Sequence, residues 1–356
     1  MSKFFKINKK KIGSNYPTYF IADIAANHDG SLAKAIKLIK AAKKAGADAA
    51  KFQHFSADTI VSDSSFKKMS KKLSHQSSWR KSVFEVYKDA SLNLAWTPIL
   101  KKECDKNGID FFTSPYSFEL VDHVNKYVPA FKVGSGDITW TEIVKYISTK
   151  NKPYIIATGA SKILDVERVY KTCIKINKKI AIMQCNTNYT ASNNNYKYIN
   201  LNVLKTFKKK FPLAILGLSD HTFGHSTVLG AISLGARIIE KHFTLDNNLD
   251  GPDHKFSMNP TTWKEMIQRS RELELSLGVK DKKIEENEKE SIIVQRRSIH
   301  ANRDIYKGEK IKKIDLKYLR PCLKNGIEPY NYKKILGKKI RRNIKKNTII
   351  TAKDLY

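Results

Sequence analysis

The sequence predicts an α/β fold, a (β/α)8 barrel followed by a small β-rich domain, and three observations carry that expectation. Eight apolar, β-branched runs alternate with helical patterns over roughly the first 275 residues. The runs are nearly continuously apolar, as strands covered on both faces are. After Gly278 the pattern changes to short segments separated by turn signals. The chain of 356 residues, 41% hydrophobic, is long enough for one large core and a small second domain.

In chain order the expected strands are Tyr19 to Ile24, Ala47 to Phe52, Ile109 to Thr113, Ala130 to Val133, Tyr154 to Ala157, Ile180 to Gln184, Ala214 to Leu218 and Arg237 to His242. An open doubly wound sheet would use the same alternation, and the count of eight is what favours closure. Between the first two strands, Leu32, Ala35, Ile36, Ile39, Ala42 and Ala45 share one helical face, with Ser31 to cap its start and Gly46 to end it. The polar stretch from His54 to Ser78 reads as a long loop on the catalytic face. The barrel is expected over 1–280, a charged linker over 281–295, and the β-rich domain over 296–356. Such a tail has a thin core and calls for a docking surface.

Charge and cysteines exclude several classes. Net charge is +32, from 66 Lys and Arg against 34 Asp and Glu, yet the lysines recur on polar helix faces throughout, without the interleaved aromatics of a single-strand binding platform. A lysine-rich solvated surface is therefore expected, with no specific nucleic acid as partner. Cys104, Cys173, Cys185 and Cys322 are scattered without a metal-site spacing and read as reduced thiols. No apolar run approaches the roughly 20 residues of a membrane span, and no secretory signal is read at the start. The expectation is a cytoplasmic protein with no membrane association.

Polar strings follow seven of the strands, where a barrel places its active site: IADIAANHDGS, KFQHF, FFTSPY, FKVGSGD, QCNTNY, GLSDHT and EKHFT. Lys51 and Lys132 lie inside apolar strands, where an unpaired ammonium is costly. With the Gly134-Ser135-Gly136 turn they form a candidate phosphate or carboxylate cradle. His221 and His242 end neighbouring strands and could share a divalent metal. Spacing alone does not separate that reading from two buried, hydrogen-bonded histidines. Asp23 is a candidate acid or base and equally a candidate ion partner for Lys51. Asp253, read alone, terminates a turn.

From Ile21 to Pro260, and again from Arg296 onward, the chain resembles the bacterial sialic acid synthase family of N-acetylneuraminate, legionaminate and pseudaminate synthases. The strings ADIAANHDGS, AGADAAKFQ, FFTSPY, FKVGSGD, LSDHT, EKHFT, GPDH and FSMNP carry the likeness, and RRSI, KGEKI, LRPC and KNTIITAKDL resemble the antifreeze-like (SAF) domain that ends these enzymes. The resemblance implies a TIM barrel, a domain-swapped homodimer, and condensation of phosphoenolpyruvate with an N-acetylmannosamine-like amino-sugar aldehyde or a diacetamido trideoxy hexose. It implies phosphoenolpyruvate contacts from Lys51, Thr113, Lys132, Ser135 and Ser219. Metal ligation falls to His221 and His242, with Mn2+ as the expected ion and Mg2+ or Co2+ as alternatives. Acceptor contacts fall to Gln53, Tyr189 and Asp253, and to Arg320 reaching in from the other protomer's tail. Two positions depart from the family pattern. Asp23 stands where Glu is usual, and Ala157 stands where some members have a phosphate-binding Ser, leaving Thr158 or backbone amides to compensate. The nearest rival reading is another phosphoenolpyruvate-dependent aldol-type synthase on the same barrel, acting on a phosphorylated sugar, and a catalytically impaired barrel acting as a binding protein is a rival of another class.

Overall fold

A computed structural model of the chain describes residues 4–69 and 71–356, which divide after Gly278 into two compact units. The first begins with a hairpin, β1 (Phe4–Ile7) and β2 (Lys10–Gly13), that the sequence reading did not anticipate. Eight parallel strands follow: β3 (Tyr19–Asp23), β4 (Ala49–His54), β5 (Asp110–Pro115), β6 (Phe131–Val133), β7 (Tyr154–Ala157), β8 (Ile180–Cys185), β9 (Ile215–Asp220) and β10 (Ile238–His242). Their order is β5-β4-β3-β10-β9-β8-β7-β6, so the first and last strands pair and the sheet curls into a barrel. β5 and β6 lie side by side without a ladder in that order.

The alternation of side chains decides what the barrel holds. Tyr19, Ile21, Ala49, Phe112, Ala130, Ile155, Met183 and Ile238 form an interior cluster, and Phe5, Ile7 and Ile12 of the hairpin join it. Phe20, Ala22, Ala50, Phe52, Phe111, Ile156, Leu218 and Ile239 face the surrounding helices in a second, larger cluster. Strand residues of opposite parity thus separate into two cores, as a period of two requires.

Helix α1 (Leu32–Lys44) forms as expected: the Ser31 side chain accepts from Lys34 N–H, Ala35, Leu38, Ile39 and Ala42 are buried, and Gly46 turns the chain out at φ +97°. The expected loop after β4 is instead folded into short helices: α2 (Ala57–Ile60), α3 (Asp63–Lys68) and, further on, α4 (Val83–Ala90). Serines begin each of them, Ser62 and Ser82 accepting backbone N–H groups three residues on and Ser56 in a capping box. Ala57, Val61 and Val83 bind these pieces into a small satellite core with Ile60, Trp79 and Tyr87. Ser70, inside that expected loop, lies outside the described residues.

The second unit has ten buried side chains at its centre, all aliphatic, among them Ile299, Ile305, Ile340, Ile350 and Leu355. It contains the antiparallel pair β11 (Ser298–Ala301) and β12 (Leu316–Leu319). Two buried aspartates repeat one device: Asp315 accepts from Arg303 Nε at 2.8 Å and from Lys312 N–H, and Asp354 accepts from Arg342 Nε at 2.6 Å and from Thr351 N–H. No helix among the described residues is long and apolar enough to cross a membrane. All four cysteines are free thiols.

Candidate active site

A cavity of about 490 Å3 opens at the C-terminal ends of the barrel strands, within the usual range for small-molecule sites. Its floor comes from the inward positions at the C-terminal end of each strand. Asp23, Lys51, Gln53, Ser114, Lys132, Ala157, Cys185, Ser219, Glu240 and His242 all line it, each continuing the parity of the apolar residues below.

The electrostatics centre on two ammonium groups. Lys51 Nζ lies 2.6 Å from Asp23 Oδ2 and 3.8 Å from Glu240 Oε1, and Lys132 Nζ lies 3.2 Å from the same Glu240 oxygen. All four side chains are at most 5% exposed. Burial alone pulls the Lys51 ammonium down, and the Asp23 and Glu240 carboxylates more than reverse this, so it stands above the ordinary lysine value. Without Glu240, two cations would face one another in a dry pocket. Glu240 keeps Oε2 buried without a hydrogen bond, and Ser114 Oγ is in the same condition. Unused polar atoms of this kind line a space built for a polar ligand.

Beside them, β6 ends in the turn at Gly134, where an added Cβ would come within 2.9 Å of the Tyr116 hydroxyl. Ser135 Oγ accepts from Gly159 N–H at 3.0 Å, and a side chain at Gly159 would strike Thr187 at 2.4 Å. A Cβ at Gly159 would also come within 2.9 Å of Ser135 Oγ, so the two turns approach because Gly159 lacks one. Burial raises Asp137 to about 6 against the opposing pull of Lys132.

On the opposite side the imidazole rings of His221 and His242 stand 5.3 Å apart, with the Tyr189 ring 4.3 Å from His221. His221 Nδ1 donates to the Asn186 carbonyl at 2.7 Å, since a carbonyl can only accept, and Nε2 therefore keeps its lone pair. Burial lowers the pKa of both rings, His242 further because His221 and Lys51 are near. His242 Nδ1 is buried without a hydrogen bond, and Nε2 lies 3.5 Å from Asp23 Oδ2. Two neutral imidazoles with free lone pairs fit a divalent ion. Among the described residues no group of three His, Cys, Asp or Glu side chains is placed to hold a metal ion. Asp253, raised to about 6 by burial, accepts from Ala26 N–H at 3.2 Å and faces the same space.

The arrangement places two buried ammonium groups and two neighbouring imidazoles in one barrel mouth, and comparison with known proteins gives it a family. Residues 38–282 match the NeuB family and residues 296–355 the SAF domain. The chain belongs to the NeuB family. The N,N'-diacetyllegionaminic acid synthase of Legionella pneumophila is 35% identical over 353 residues, 97% of each chain. The pseudaminic acid synthase of Campylobacter jejuni is 34% identical, with 92% of this chain and 93% of that one covered. The solved structure of an N-acetylneuraminic acid (sialic acid) synthetase from Leptospira borgpetersenii superposes with a TM-score of 0.71 at 26% identity, over 82% of this chain and 96% of that one. These relatives are nonulosonate synthases by name, and the eight-stranded barrel followed by an SAF domain is the architecture of this NeuB chain.

Two expected roles do not match the positions found in this NeuB barrel. Thr113 faces outward: its hydroxyl donates to the Phe52 carbonyl at 3.1 Å and bonds His54 Nδ1 at 2.7 Å, and Ser114 holds the inward position. Thr158 likewise turns away, donating to the Met183 carbonyl at 2.9 Å, so its hydroxyl does not compensate for Ala157. Lys51, Gln53, Lys132, Ser135, Tyr189, Ser219, His221, His242, Asp23 and Asp253 all line the cavity. Arg320 lies exposed in the second unit, directly after β12. Sequence reading missed Glu240, although a carboxylate in an apolar strand two residues before His242 was a usable signal. It also missed Trp79 and Tyr87, which carried none.

Proposed function

We propose that this chain condenses phosphoenolpyruvate with an unphosphorylated amino-sugar aldehyde, giving a nine-carbon 2-keto sugar acid and phosphate. The observation that carries the reading is the pair Lys51 and Lys132, buried side by side and balanced by Glu240. Relatives named as legionaminic, pseudaminic and neuraminic acid synthases support it.

In this reading Lys51, Lys132, Ser135, Ser114 and Ser219 hold the phosphate and carboxylate, and fixing both ends of phosphoenolpyruvate aims its carbon 3 at the aldehyde. Gln53, Tyr189 and Asp253 hold the sugar. His221 and His242 would hold a divalent ion, best Mn2+ because imidazole favours ions softer than Mg2+, and such an ion supplies Lewis-acid polarisation of the aldehyde when bound. The new carbon–carbon bond breaks the π bond of the aldehyde, whose oxygen takes up a proton and becomes a hydroxyl, and leaves cationic character at carbon 2. Asp23, beside Lys51 and His242, takes a proton from the water that adds there. Loss of phosphate by carbon–oxygen cleavage then leaves the ketone. Arg320 completes the sugar site from the second chain of a domain-swapped homodimer.

Phosphate release that requires both phosphoenolpyruvate and an unphosphorylated amino sugar is the expected result. Turnover with phosphorylated aldoses alone would overturn the assignment.

A further inference from the structure

Beside the two imidazoles, but outside the cavity they line, stands a second buried ion pair. Register sets Lys241 of β10 opposite Asp220 of β9. Each directly precedes a histidine of the site, and alternation sends its side chain to the other face of the sheet. Lys241 Nζ donates to Asp220 Oδ2 at 2.5 Å and to the Thr222 carbonyl at 2.6 Å. The same Asp220 oxygen accepts from the Thr222 hydroxyl at 2.8 Å and from that of Thr227 at 2.7 Å, in the first turn of the helix Ser226–Ser233. Both side chains are at most 1% exposed. Burial works against the Asp220 carboxylate, and Lys241 with the two threonines more than reverses it, so the group stays below its ordinary value.

A ligating imidazole is ordinarily oriented by a hydrogen bond at its other ring nitrogen. His221 has such a bond, to the Asn186 carbonyl. His242 does not: Nδ1 is buried without a hydrogen bond, and Nε2 lies 3.5 Å from Asp23. The placement of His242 therefore falls to the backbone that carries it. There the ammonium of the preceding residue is tied to Asp220 and Thr222, the residues on either side of His221. One clamp thus joins the backbones that carry both rings. Apolar side chains of similar size would serve stability as well or better, so the polar clamp has a geometric purpose. Resting on the metal reading proposed above, we infer that Asp220 and Lys241 are positioning residues that fix the separation of the two imidazoles, and with it the affinity of the site for a divalent ion.

The test is the Mn2+ affinity of the metal-stripped full chain, read from the electron paramagnetic resonance signal of free Mn2+ with no substrate present. The wild type should take up Mn2+ that His221→Ala and His242→Ala do not. Lys241→Met removes the ammonium, and the double variant Asp220→Asn/Lys241→Met removes both charges, so that no unpaired ion is left buried. Each should weaken Mn2+ binding by about tenfold or more, the scale of lost outer-shell support, while thermal unfolding stays cooperative. If the double variant unfolds cooperatively and binds Mn2+ as the wild type does, the inference fails while the metal reading stands. If neither variant folds, the pair serves the fold and the inference fails as well. If the wild type takes up no Mn2+ that the histidine variants lose, the metal reading itself fails and the inference falls with it.

Discussion

The floor and the outer wall of the cavity come from parts of the chain that differ in nearly every physical respect. The floor stands on barrel strands, each held by backbone pairing to a neighbouring strand, and it concentrates buried charge: Lys51, Lys132, Asp23 and Glu240 within a few ångströms. The wall stands on short helices joined by capped turns, held by a satellite core of three buried residues, and it lines the cavity with Phe55, Ile60, His75, Trp79, Val86 and Tyr87. Side chains on paired strands are held more closely in place than side chains on an inserted segment of short helices. A change in the floor should therefore cost more turnover than a change in the wall.

The largest expected effect lies at the two imidazoles. Chelation should abolish activity and Mn2+ should restore it best, while His221→Ala and His242→Ala should show no rescue. Full activity of either variant without added metal would remove that residue as a ligand. Next is Asp23→Asn, expected to lower turnover by about a hundredfold or more, the scale of a positioned acid or base, with phosphoenolpyruvate binding retained by calorimetry. Near-normal turnover would make the 2.6 Å contact with Lys51 purely a charge partner.

A smaller effect is expected from complementation between chains. Arg320→Ala and His221→Ala homodimers should each be nearly inactive. Co-refolding them in equal amounts makes about half the dimers mixed with one complete site each, so roughly a quarter of wild-type activity should return. A verified mixed dimer without activity would place Arg320 in its own chain's site or outside any site.

The smallest effect concerns stability rather than rate. Asp137 holds its proton to about pH 6 in the folded chain, whereas the unfolded carboxyl ionises near its ordinary value of about 3.9. Between those values the folded state binds more protons, so this group's contribution to stability falls as pH rises and is flat above about 6. Asp137→Asn should remove that fall. Relative to wild type it should gain on the order of 2 kcal/mol between pH 4 and pH 7.5 in denaturant titrations. An unchanged difference between the two pH values would show that the carboxyl is not held protonated.

The sequence by itself determined the eight strands, the capped first helix, and most of the floor. Lysines and histidines in or at the ends of apolar strands are costly unless they are used or paired, so Lys51, Lys132, His221 and His242 were legible without any contact map. The register of β5 was not. Thr113 and Ser114 are adjacent hydroxyl residues before Pro115, and a slip of one residue exchanges the two faces of a strand. Only pairing with β4, which sets Phe52 opposite Thr113 and Gln53 opposite Ser114, decided which one enters the cavity. Tertiary structure alone also decided the hairpin's place among the barrel's interior residues, the balancing role of Glu240, and the outer wall. The first two depend on side chains far apart in sequence meeting across the barrel, and the wall on short helices packing on one another, whereas local periodicity records which face a residue takes but not what stands opposite it.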